Sequence, residues 1–152
     1  MSRIDFRRRV VQLCRMGEVK VRIKISNVLD EALARRGQLP KDQIRHVEVE
    51  AVVDTGAVRS VMPRPLMDQL GLMEQHSTLA RYADGRADSV VFSEPATIEI
   101  LGREVSENFL ILGDEVLLGQ TALEATDLLV DCNRQKVIPN PDHPNAPVIR
   151  IR

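Results

Sequence analysis

The chain has 152 residues, 43% hydrophobic and 28% charged, with a net charge of −1. That length and apolar content suit one soluble globular domain with a core of its own. The small net charge offers no basic field for a nucleic-acid partner, and no apolar run is long enough to cross a membrane as a helix. No apolar signal core follows the N-terminal arginines, so a cytoplasmic location is the expectation. Aromatic residues make up only 3%, which predicts an aliphatic core. Cys14 and Cys132 stand far apart, without His or Cys neighbours at ligand spacing. They read as reduced thiols, and neither a metal nor a cofactor is expected.

Residues 1–17 are basic and read as a tail, although Phe6, Val10 and Leu13 fall at helical spacing. Val19, Val21, Ile23 and Ile25 then alternate with Lys20, Arg22, Lys24 and Ser26, a half-buried strand with a basic outer face. Asp30 to Arg36 suits a helical turn before Gly37 and Pro40. Val47, Val49, Ala51 and Val53 alternate with His46, Glu48 and Glu50, giving a second strand with an acidic outer face. Paired antiparallel, the two strands set lysine and arginine against glutamate. His46 is then an exposed strand residue.

The second strand climbs into Asp54-Thr55-Gly56-Ala57. Strand formers precede Asp54, and Gly56 lets the backbone fold tightly straight after it. A carboxylate there is held by rigid elements, within reach of the loop's own N–H groups. The same tripeptide also arises by chance at strand ends.

Further along, Pro63 and Pro65 suit the first turn of a helix, Leu66 and Leu70 its apolar face, and Gly71 its C′ position. Ser77–Tyr82 and Asp88–Phe92 flank Ala83-Asp84-Gly85-Arg86, a strong hairpin signal. Ala96, Ile98 and Ile100 alternate as another strand, and Leu101-Gly102-Arg103 turns it into Glu104–Leu112. Val116-Leu117-Leu118-Gly119-Gln120 is apolar around a glycine, and Thr121–Ala125 suits a short helix. Strands are expected near Leu128–Asp131 and Lys136–Ile138. Residues 141–152 read as a proline-rich tail, with Val148–Ile151 a candidate last strand. Many short strands with one or two short helices predict an all-β unit, closed or folded over on itself.

Asp54-Thr55-Gly56-Ala57 with Ser60, the hairpin around Asp84-Gly85, and Leu117-Leu118-Gly119 before a short helix occur in a telling order. Together they resemble the retropepsin-like, retroviral-type single-domain aspartic proteases over about residues 18–140. The resemblance implies a β-barrel with a flap hairpin. It implies a catalytic Asp54, Thr55 and Gly56, and substrate contacts from Ala57, Tyr82, Asp84, Gly85 and Arg86. It gives Ser60, Leu117, Leu118 and Gly119 a supporting role behind the loop. The hairpin has a plainer reading as an ordinary exposed turn. Thr55, which by resemblance reaches across to a second chain, has one as turn chemistry within its own. Gln120 and Thr121 stand where retroviral enzymes carry Arg and then Asp or Asn, so the arginine that braces their dimer has no counterpart here.

The implied chemistry needs two carboxylates sharing one proton. This sequence carries a single Asp-Thr-Gly. The resemblance therefore implies a homodimer that joins two Asp54 side chains. Many two-lobed relatives place a hydroxyl at the position of Ala57, and without it the pair should work at mildly acidic to near-neutral pH. The expected function is a homodimeric aspartic endopeptidase acting on a peptide or protein, without nucleic acid or membrane as partner. The alternative is a binding or assembly module of the same fold with weak or no hydrolysis.

Overall fold

Alternation in the first two strands decides how the sheet begins. The computed structural model describes residues 18–151. In it β1 (Lys20–Asn27) pairs antiparallel with β2 (His46–Val53), placing Arg22 opposite Glu50 and Lys24 opposite Glu48. Lys20 lies 3.7 Å from Glu50 and Arg22 lies 3.4 Å from Glu48. Exposed pairs of this kind contribute below about 1 kcal/mol each. The register is held instead by Ile23, Ile25 and Ala51, which are buried on the inner face. A slip of one residue would turn all of them to solvent.

The remaining elements close the sheet on itself. They are β3 (Val61–Met62), β4 (Glu74–Arg81), β5 (Ala87–Ile100), β6 (Arg103–Ile111) and β7 (Leu117–Leu118). Neighbours run β1-β2-β7-β3-β6-β5-β4, and β5 also pairs with β1. Six strands thus form a ring, and β4 hangs outside it on β5. A separate hairpin joins β8 (Leu128–Asp131) and β9 (Lys136–Pro139). Ile25, Met62, Leu70, Ile98, Ile100, Phe109 and Leu118 fill the interior. The core is aliphatic as expected, apart from the buried Phe109. The architecture is all-β with short helices among the described residues: α1 (Val28–Arg35), α2 (Arg64–Gln69) and α3 (Gln120–Thr126), besides a 3-10 turn at Lys41–Gln43. No helix among the described residues is long and apolar enough to cross a membrane.

Three local features differ from the sequence expectations. The runs read as two strands, Asp88–Phe92 and Ala96–Ile100, are one strand with an irregularity between Phe92 and Pro95. Pro95 has no N–H to offer the ladder. The side chain of Ser93 fills the gap, accepting from Phe109 N at 3.1 Å and donating to Glu94 O at 2.8 Å. Helix α1 starts earlier than Asp30, because Asn27 caps it. The Asn27 Oδ1 accepts from Asp30 N at 3.1 Å, and its Nδ2 donates to Leu70 O at 2.9 Å. Cys132 is disulfide-bonded rather than the reduced thiol expected from the sequence. Cys14 and the rest of residues 1–17 lie outside the described part.

Two polar clusters tie the excursions to the ring. The Asp30 carboxylate receives Arg45 Nε at 2.8 Å, Nη2 at 2.9 Å and backbone N at 3.0 Å. At the other end, Asp127 stops α3 in a left-handed conformation with φ of 54°. Its carboxylate accepts from Asn140 Nδ2 at 2.9 Å and Val148 N at 3.1 Å, and meets His143 Nδ1 at 2.6 Å. The buried Arg103 donates to the carbonyls of Thr126, Asp127 and His143. These contacts pin the proline-rich tail, and residues 148–151 add no strand to their own chain's sheets.

Candidate functional site

Asp54 is the first residue after β2, and its backbone is clamped before its side chain does anything. Val52 N donates to Val116 O at 2.9 Å, and Asp54 N donates to Leu118 O at 3.0 Å. From the other side Val53 N donates to Val19 O at 2.8 Å. The apolar run expected to support the acid therefore lies directly beside it, as β7.

The loop turns back immediately. Ala57 N donates to Asp54 O at 3.1 Å, and Gly56 N donates to the Asp54 Oδ1 at 3.0 Å. A methyl group on Gly56 would stand 3.3 Å from that oxygen. Within the described residues the other carboxylate oxygen of Asp54 takes part in no hydrogen bond, and neither does the half-buried Thr55 hydroxyl. No second carboxyl group bonds to Asp54 there either.

Behind the loop, β7 runs into α3, whose first backbone donors have no partners within the helix. Gln120 N and Thr121 N supply them to Ala57 O and Val58 O at 2.8 and 3.1 Å. Ser60 is fully buried, and its Oγ accepts from Gly119 N at 3.0 Å. A Cβ on Gly119 would meet the backbone of Arg59 and Ser60 at 2.5 to 2.8 Å. Only glycine lets the two segments approach this closely. Ser60, Leu117, Leu118 and Gly119 are thus assembled as one brace under Asp54-Thr55-Gly56. The Gln120 side chain turns away along its own helix, donating to Glu124 Oε1 at 2.9 Å.

Tyr82, Asp84, Gly85 and Arg86 sit together at the tip of the β4–β5 hairpin. The loop is Ala83-Asp84-Gly85, closed by Tyr82 N to Arg86 O at 2.8 Å and Gly85 N to Tyr82 O at 3.0 Å. Gly85 has φ of 89°, a conformation that favours glycine. Arg86 bonds Asp84 at 2.7 Å, with its guanidinium 5.2 Å over the Tyr82 ring. No hydrogen bond joins this tip to the Asp54 loop among the described residues.

The root of the hairpin does touch the loop. The Arg59 guanidinium lies 5.8 Å from the Phe92 ring centre. Phe92 stacks on His76 at 4.8 Å with 19° between the rings. The sequence reading missed this trio. Counting outward from the Asp84-Gly85 turn pairs His76 with Phe92, so half of it was open to inspection. Arg59 falls in the variable part of the Asp-Thr-Gly motif and gave no signal. Glu107 was missed as well. It is buried, one oxygen accepts from Thr121 Oγ1 at 2.9 Å, and the other has no partner among the described residues. No group of three or more His, Cys, Asp or Glu among the described residues is arranged to hold a metal.

The model of the gag-polyprotein putative aspartyl protease family matches residues 41–125, from before β2 to the last turn of α3. No curated protein matches the chain. Among solved structures it is similar to the retroviral protease-like domain of Ddi1 from Leishmania major. The TM-score is 0.50 at 15% identity, covering 88% of this chain and 92% of that one. It is also similar to the protease of simian foamy virus (mac), with TM-score 0.45 at 16% identity, covering 68% of this chain and 90% of that one. At 15% identity the likeness to the Ddi1 domain speaks for the fold alone.

Proposed function

Since the chain belongs to the gag-polyprotein putative aspartyl protease family, we propose that it is a homodimeric aspartic endopeptidase whose two Asp54 side chains, one per chain, meet around one water. One carboxylate, ionised, takes a proton from that water as it attacks the scissile carbonyl. The other, protonated, donates a hydrogen bond to the carbonyl oxygen. Two acids about 3 Å apart cannot both ionise, so the pair holds a single shared proton.

The observation that carries this reading is a loop braced from behind and unfinished in front. Among the described residues Asp54 keeps one carboxylate oxygen without a hydrogen bond, because only Oδ1 is engaged, by Gly56 N at 3.0 Å. The Thr55 hydroxyl has no bond to its own chain among the described residues, which favours the cross-chain role over turn chemistry. Gly56 lets two such loops approach. The peptide would lie extended between the acids and the β4–β5 hairpin, contacted by Ala57 and by Tyr82, Asp84, Gly85 and Arg86. Residues 18–140 make up the catalytic unit in this proposal, with tails on both sides and no cofactor.

The alternative module reading has support of its own. The Gln120 side chain bonds Glu124, and only its backbone N–H reaches the loop, so the arginine brace of the retroviral dimer has no counterpart. One assay separates the two. A mixed peptide pool is incubated with wild type and with Asp54→Asn from about pH 4 to 8, at several protein concentrations. Cleavage abolished by the substitution, with specific activity falling on dilution, is the expected result. Cleavage that survives Asp54→Asn overturns the proposal. A stable dimer that cuts nothing establishes the module.

A further inference from the structure

We propose that Arg59 selects peptides carrying a carboxylate side chain close to the cleaved bond; this rests on the protease reading above and names its substrate class. Arg59 leaves the same loop as Asp54 and is exposed. Its guanidinium reaches the hairpin root, 5.8 Å from the centre of the Phe92 ring. It therefore borders the gap between loop and hairpin in which an extended peptide would run.

A contact with the face of a ring holds the guanidinium in place and uses none of its N–H donors. Among the described residues no carboxylate lies within ion-pair distance of Arg59, a lack it shares with Arg35, Arg36 and Arg81 and one that sets it apart from Arg22, Arg45, Arg64, Arg86 and Arg134. Several acids of the surrounding elements are already engaged. Glu74 pairs with Arg64 at 2.7 Å, and Asp84 with Arg86 at 2.7 Å. Glu94 accepts from Met73 N at 2.7 Å, and Glu107 from Thr121 at 2.9 Å. Asp88 has no ion pair among the described residues but lies toward the hairpin tip, opposite Ala80. The neighbouring His76, stacked on Phe92, adds no negative charge. The cation is left with its donor fork open and with the Phe92 ring against one face. A substrate carboxylate is the group that fits such a fork, through two parallel charge-assisted hydrogen bonds. Side chains of an extended peptide alternate in direction, so the preference should fall on one position and skip its neighbours.

The test is a peptide series with Glu, Gln or Lys at each position around the cleaved bond. It is run on wild type, Arg59→Gln, Arg59→Lys and Arg59→Glu, with melting checked for each. Wild type should favour Glu over Gln at one position by about tenfold in kcat/KM, less at high salt. Arg59→Gln should level the two, Arg59→Lys should keep part of the preference, and Arg59→Glu should turn it toward Lys. The same peptides are titrated against Asp54→Asn with and without Arg59→Gln, reading binding by fluorescence anisotropy. Equal treatment of Glu and Gln at every position, or a Glu preference that survives Arg59→Glu, overturns the inference. If nothing is cut but binding shows the Arg59-dependent preference, the protease reading fails, and what stands is Arg59 as the group that selects a carboxylate-bearing peptide for binding. If peptides are cut without charge preference, the reverse holds.

Discussion

Gly56 and Gly119 both touch the site, and a single methyl group should affect them differently. At Gly119 the added carbon would fall 2.5 Å from the Arg59 carbonyl carbon, a backbone atom with no room to yield. Gly119→Ala should destabilise the protein by about 3 kcal/mol and lower its melting temperature accordingly. At Gly56 the added carbon meets only the Asp54 carboxylate, at 3.3 Å, which can give by a few tenths of an ångström. Gly56→Ala should leave the melting temperature of the single chain nearly unchanged and, on the proposed mechanism, lower kcat by shifting Asp54 and crowding the approach of the two loops. Equal losses of stability in the two variants would contradict this account. Thermal melts followed by the peptide assay measure both.

The β4–β5 hairpin is the element with the least of its own to hold it. Nearly all of β4 is exposed, and it pairs with β5 alone. A two-stranded arm is marginal in water, so its stability must come from its root. There Ser93 accepts the Phe109 N–H at 3.1 Å, while Asn108 Nδ2 donates to Ser93 O at 2.7 Å and also bonds Gln75. Ser93→Ala leaves a buried N–H without its acceptor and should cost about 1 to 3 kcal/mol. Ser77→Ala, on the exposed arm of the same hairpin, should cost well under that. Hydrogen exchange across β4 should speed up in the first variant and not in the second. The turn of this hairpin was readable from Asp84-Gly85, whose chemistry is local. Its continuity into the ring was not, because Ser93-Glu94-Pro95 reads as a break until Phe109 is known to lie across from it.

For the molecule as a whole, acid is the expected weakness. Hydrogen bonds from the Arg45 side chain hold the Asp30 carboxyl below the usual carboxylate range, against the opposing effect of burial. Asp127 is held low too, first by the Asn140 side chain and then by the Val148 N–H and His143, again against desolvation. A depressed folded-state value means that the unfolded chain binds more protons. The stability from each group is thus complete above the unfolded value, about pH 4, and drains away as pH falls through the lower folded value. Wild type should lose stability steeply below about pH 4. Asp30→Asn should be less stable at neutral pH by about 1 to 3 kcal/mol and show a flatter acid limb. A variant with the same acid limb as wild type would show that Asp30 is not the group responsible. Denaturant melts across pH decide it.

The alternation of β1 and β2, the acid at the mouth of a glycine turn and the hairpin signal were all visible along the chain. Each depends on residues within one strand or turn, where a period of two or a positive φ leaves a mark on the order of amino acids. The closing of β5 onto β1, the Gly119 N–H on the buried Ser60 hydroxyl, and Arg59 over Phe92 left no such mark. They join segments that are distant along the chain, and the distances that matter are set only once the ring has closed around its core. The tertiary fold decided what stands behind the acid and which cation stands beside it.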